Sequence, residues 1–150
     1  MDAGVHGLRV NPGNIRRPEH SKAVAAEAKD RQIPIRIGVN AGSLDPKLYE
    51  KYGGATPEAM VESALSEMAY FEEVGFDLIK ISVKASSVPL MVDAYRVLSE
   101  VTDHPLHLGV PEAGPPQAGF FQATTVISTL LLQVTGPTRP HSPPPDHAPA

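Results

Sequence analysis

"IPIRIGVNAGSL", residues 33–44, sets an arginine in the middle of a run of strand-forming apolar residues. Arginine is seldom fully buried without a partner. The direction in which Arg36 points therefore decides what kind of sheet this chain builds. At a side-chain period of two, Ile35, Ile37 and Val39 share one face, and Arg36, Gly38 and Asn40 share the other. Three further runs repeat the pattern. In 6–11, Leu8 and Val10 oppose Arg9 and Asn11; in 76–84, Ile79, Ile81 and Val83 oppose Lys80, Ser82 and Lys84; in 104–110, Leu106, Leu108 and Val110 oppose His107 and Gly109. Every run has an apolar face and a polar, mostly basic face. Each leads into a loop bearing Gly, Asn or Ser: NPGN, NAGS, KASS and PEAG.

Helical patterns separate the runs. Residues 18–30 are alanine-rich, which suits a helix. Residues 45–53 carry an Asp cap, a first-turn proline and a terminal glycine, predicting a short extra helix. Residues 56–75 begin Thr-Pro and stop at Gly75, with Met60, Ala64, Met68 and Phe71 at helical spacing. Residues 87–103 repeat that spacing through Leu90, Ala94, Val97 and Val101. Strand and helix alternation of this kind implies right-handed parallel βαβ units. An open doubly wound sheet is normally apolar on both faces. One polar face, with polar loops gathered at the strand ends, fits a barrel that binds ligands at its C-terminal mouth. The expected fold is α/β: a partial (β/α)8 TIM-type barrel of about four parallel βα units. The two unpaired edges of such a sheet invite a homodimer.

The ordered body is expected over 1–118, and a divergent tail over 119–150. Beyond Glu112 only Arg139 and Asp146 are charged, and more than half of the 16 prolines fall at or after Pro111. The closing "GPTRPHSPPPDHAPA" is expected to be extended and disordered. A net charge of −4 gives no basic field for nucleic acid or an anionic membrane. No run approaches the length of a membrane span, and no basic-then-apolar leader opens the chain. The expected location is the cytoplasm. Cysteine is absent, which excludes disulfides, thiolate zinc sites and iron–sulfur ligation by this chain. The histidines show no metal-ligand spacing, and no phosphate-loop fingerprint is present.

Arg9, Arg36 and Lys84 on neighbouring strands would converge at one mouth. An arginine fork and a lysine point charge suit phosphate, and Asn11 and Asn40 can orient its oxygens. The pattern points to a phosphorylated or diphosphorylated small molecule, against the alternative of ion pairs or solvated strand ends. Glu112 follows the fourth run. It reads either as a proton donor or acceptor or as an exposed loop carboxylate. His107 faces inward by parity, either as a satisfied core histidine or as a participant.

"GLRVNPGNI", "IPIRIGVNAGSL", "KISVKAS" and "PLHLGVPEAG" together resemble, in order and spacing, the barrel domain of the 4-hydroxy-3-methylbut-2-en-1-yl diphosphate synthase family. The resemblance covers roughly residues 4 to 118. It implies a reductive opening of 2-C-methyl-D-erythritol 2,4-cyclodiphosphate in non-mevalonate isoprenoid synthesis. It also implies a 4Fe-4S cluster held by a separate cysteine-bearing domain, and flavodoxin or ferredoxin as electron donor. On matching positions it places Arg9, Asn11, Arg36, Asn40 and Lys84 in the substrate pocket and Glu112 beside the reacting substrate. Pro111 departs from the family's usual threonine, and the likeness fades over 120–133 and ends near Val134.

The expectation is a fragment of this oxidoreductase, inactive alone, with a tail read from a foreign frame. Two alternatives stand beside it: another phosphate- or pterin-binding barrel enzyme, and a non-catalytic gene fragment.

Overall fold

Alternating isoleucine and valine build three parallel strands: β1 (Leu8–Val10), β2 (Ile35–Asn40) and β3 (Ile79–Lys84), in the order β1-β2-β3. The computed structural model describes residues 4–15, 17–109 and 116–133. Helices α1 (Pro18–Asp30), α2 (Pro46–Tyr52), α3 (Pro57–Glu73) and α4 (Val88–Val101) connect the strands as the sequence predicts, and α5 (Pro116–Gln133) follows. A 3-10 turn, Ala41–Ser43, leads from β2 towards α2.

The helix starts are written locally. Asp45 accepts the Lys47 N–H at 2.8 Å, Thr56 accepts that of Ala59 at 3.2 Å, and Ser87 accepts that of Leu90 at 3.4 Å. These side-chain oxygens satisfy amides that the first helical turn leaves without partners. α2 ends on Gly53, whose φ of 69° is left-handed backbone that glycine adopts without strain.

The apolar strand face meets the helices. Ile35, Ile37, Val39, Ile79, Ile81 and Val83 are buried with Ala25 and Ala28 of α1, Met60, Ala64 and Phe71 of α3, and Met91, Ala94, Tyr95 and Leu98 of α4. The opposite face carries no helix among the described residues.

The fourth strand expected over 104–110 is reduced to one bridge, Ile81↔Leu106. Ile81 N–H donates to Pro105 O at 2.9 Å, and His107 N–H donates to Ile81 O at 2.7 Å. In a parallel ladder the next bond would run from Val83 N–H to His107 O. The Tyr95 hydroxyl occupies that place. It accepts from Val83 N–H at 3.2 Å and donates to His107 O at 2.7 Å. A buried phenol from α4 thus stands where the ladder would continue.

α5 carries helical order past residue 118, through Gln133, where a divergent, disordered tail was the expectation. Val126 and Leu130, one helical turn apart, are both fully buried in the core, and α5 packs on α4. Residues 134–150 lie outside the described residues.

Two buried groups sit uneasily in this core. Ser21 Oγ of α1 and Glu67 Oε1 of α3 have no protein hydrogen-bond partner of good geometry. Burial holds the Glu67 carboxyl above the ordinary range, and the nearby Ser21 hydroxyl counters only part of this. A raised native value means that the fold retains the proton more tightly than the unfolded chain. The stabilisation is fully present below the unfolded pKa of about 4.3 and is lost as pH rises through the native value. Urea unfolding between about pH 4 and about pH 8 should therefore show stability falling with pH in the wild type and a shallower fall in Glu67→Gln. Equal slopes in the two proteins would contradict this.

Tyr95→Phe removes both hydroxyl bonds and leaves Val83 N–H and His107 O without their bridge. The expected loss is about 1–3 kcal/mol in denaturant unfolding. An unchanged midpoint would mean that the two strands close directly on each other.

Candidate functional site

Strand register sorts the polar face into rows. Arg9, Arg36 and Lys80 lie side by side across β1, β2 and β3. Gly38 and Ser82 form the next row, and Asn40 and Lys84 the third. The Ile81↔Leu106 bridge places His107 beside Ser82 in the second row. Neighbouring strands are about 4.8 Å apart, and two residues along a strand span about 6.6 Å. Four permanent cations thus share a patch roughly 10 Å wide and 13 Å long. Arg9 and Lys80 are exposed, while Arg36 and Lys84 are half-buried. Among the described residues no carboxylate pairs with any of the four; the ion pairs that form lie elsewhere, as in Lys22–Glu73 and Lys51–Glu62.

Arg9 is aimed by a missing side chain. Its Nη2 donates to Gly38 O at 3.2 Å, and a Cβ built on Gly38 would stand 2.7 Å from Arg9 Nε. The guanidinium therefore lies over the glycine, reaching from the first row into the second.

Asn11 serves differently from the sequence expectation. Its amide donates to Ser43 Oγ at 3.0 Å and its Oδ1 accepts from Gly13 N–H at 3.2 Å. The side chain is buried and ties the loop after β1 to the loop after β2. The same contact needs glycine at 13, since a Cβ there would fall 1.6 Å from Ser43 O. Asn40 and Lys84 are half-buried side by side at the strand ends, as expected.

His107 is exposed on the polar face, so it is not a core histidine. Partial burial, then the charges of Arg36, Lys80 and Lys84, hold its imidazole below the ordinary histidine value. Glu112 lies outside the described residues. Lys80 was visible in the strand parity but was not among the expected site residues; its register with Arg36 is what adds it.

A cleft of about 660 Å³ lies beside the strand ends, between Leu44, Tyr49, Ser86 and Leu90. Its lining contains none of the four cations. The basic patch is an open face, with an apolar-walled recess next to it. Among the described residues no cluster of three His, Asp or Glu side chains could hold a metal ion. No helix there is long and apolar enough to cross a membrane.

The GcpE TIM-barrel domain family matches residues 1–140. A 4-hydroxy-3-methylbut-2-en-1-yl diphosphate synthase (flavodoxin) of Caldanaerobacter subterraneus subsp. tengcongensis is 50% identical over 138 residues, covering 92% of this chain and 39% of that protein. The synthases of the same description from Corynebacterium diphtheriae and Acidithiobacillus ferrooxidans are 54% and 51% identical. Each alignment covers 92% of this chain, and 36% and 38% of the respective relative. The chain thus spans under two-fifths of the length of these curated relatives.

Gly38→Ala separates the patch from the fold. Alanine suits a strand interior better than glycine, but its methyl displaces the Arg9 guanidinium. Thermal stability should be equal or higher, while affinity for inorganic diphosphate, read by calorimetry, falls about tenfold, the scale of one charge-assisted hydrogen bond. Undiminished affinity would show that Arg9 needs no seat on Gly38.

Proposed function

We propose that this chain, which belongs to the GcpE TIM-barrel domain family, binds a small cyclic diphosphate on the basic face of its sheet. The substrate is 2-C-methyl-D-erythritol 2,4-cyclodiphosphate, and the chain is the substrate-binding part of a 4-hydroxy-3-methylbut-2-en-1-yl diphosphate synthase. One observation carries this: Arg9, Arg36, Lys80 and Lys84 share one sheet face in register, with no carboxylate among the described residues to pair with them. Their charge calls for an anion carrying several negative charges close together, and a diphosphate does so. The names of the similar proteins, which describe a diphosphate synthase, support the same chemistry.

Within this proposal Arg36 offers its planar fork to one phosphoryl group, and Lys84 offers a mobile ammonium at the mouth. Asn40 orients ester or hydroxyl oxygens beside Lys84. Arg9, seated over Gly38, faces the second row. Asn11 acts indirectly, by holding the two strand-end loops together. Glu112 would carry the proton transfer beside the reacting carbon.

The family's reductive ring opening uses a 4Fe-4S cluster, whose ligation requires thiolates. The donor set here does not fit one, because the 150 residues include no cysteine. This chain binds substrate; the electrons, from flavodoxin in the named relatives, must reach the substrate through residues this chain lacks. Turnover by the chain alone is therefore not expected.

Thermal-shift titration with the cyclic diphosphate tests the proposal. The wild type should be stabilised in proportion to the logarithm of ligand concentration, and Arg36→Ala should lose the shift. A flat wild-type titration, or an equal shift in Arg36→Ala, would sink it.

A further inference from the structure

We propose that His107 belongs to the anion site and takes up a proton when a diphosphate binds, so that recognition at this face is linked to pH. This rests on the anion site described above and adds a residue and a proton to it.

The geometry places the ring with some rigidity. His107 N–H is held by Ile81 O at 2.7 Å, and its carbonyl is held by the Tyr95 hydroxyl at 2.7 Å. The backbone is pinned on both sides while the side chain is exposed on the polar face. Burial pushes the Tyr95 hydroxyl up to about 12, so this anchor stays a neutral donor across the physiological range.

The charged groups facing the ring are cationic on every strand. Arg36 comes from β2, and Lys80 and Lys84 come from β3. Arg9 of β1 brings its guanidinium over Gly38, in the row that His107 shares with Ser82. From α4, the Tyr95 hydroxyl bonds the His107 carbonyl and adds no charge. No carboxylate among the described residues offsets these charges.

Desolvation and this repulsion both oppose an imidazolium, and so the free ring is mostly neutral near pH 7. A diphosphate neutralises the surrounding cations and presents acceptor oxygens of its own. Both changes favour the charged ring, which becomes a further donor to the ligand. The proton comes from solvent. By linkage, affinity rises as pH falls through the pKa of the complex and levels once the free ring is protonated as well. The four permanent cations alone would give no such dependence.

Calorimetric titration with inorganic diphosphate, in two buffers of different ionisation enthalpy near neutral pH, measures the protons taken up. The ligand's own titration is common to all proteins and cancels in comparison. The wild type should take up more protons per diphosphate than His107→Gln. Its affinity should also gain more between about pH 8 and about pH 6, by up to about tenfold for each unit by which binding raises the ring's pKa. His107→Lys should bind without the extra uptake. NMR titration of the His107 ring in the wild type, with and without diphosphate, should show its midpoint raised by the ligand. Equal proton uptake in wild type and His107→Gln, or an unmoved ring midpoint, would overturn the assignment while leaving the anion site intact. A wild type that does not bind diphosphate would overturn both.

Discussion

Arg9, Arg36 and Lys80 lie side by side across three strands, and like charges in that arrangement repel. The opposite face holds them there. Burying each isoleucine or valine contributes roughly 1.5–3 kcal/mol, and six such residues of β2 and β3 are buried on the helix side. The repulsion between charges open to water is smaller than this sum. A slip of one residue would bury the cations and expose the isoleucines, so parity excludes it. From that constraint follow the placement of the helices on one side, the basic patch on the other, and the row that brings His107 beside Ser82.

The strand ends are organised by small contacts rather than by burial. Asn11, Gly13 and Ser43 form a knot in which one amide makes two bonds and one glycine makes room. The Tyr95 hydroxyl stands between Val83 and His107, where the ladder would otherwise continue. Both devices use a polar atom to set a spacing between backbone segments. That spacing determines how far apart the polar side chains of adjacent segments stand, and hence the shape of the basic face.

The sequence made the large features legible because they rest on periodicity. Parity alone separated Ile35, Ile37 and Val39 from Arg36, Gly38 and Asn40, and cap residues marked the helix starts at Asp45, Thr56 and Ser87. What escaped depended on contacts distant along the chain. Nothing local to Tyr95 says that its hydroxyl meets Val83 and His107, so the fourth run read as a full strand. Asn11 looked like its counterpart Asn40, yet Ser43, 32 residues away, claims its amide. Over 119–133 the loss of charge outweighed a helical pattern. Val126 and Leu130 are one turn apart, and that spacing was the available signal for α5. Lys80 was present in the parity, but only the register with Arg36 made it a neighbour of the site.

The polar character of this face also bears on what its contact with water costs among the described residues. A barrel interior lined by leucine and valine would, if opened, expose a continuous apolar surface of the kind that drives aggregation. Here Arg9, Lys80 and His107 are exposed and Arg36, Asn40 and Lys84 half-buried, with the small Gly38 and Ser82 buried among them. The residues that suit a charged ligand are therefore also ones that tolerate water. Under the proposed function a diphosphate would not have to displace a packed core; it would exchange water and counterions for arginine and lysine side chains held in register by the buried side of the sheet.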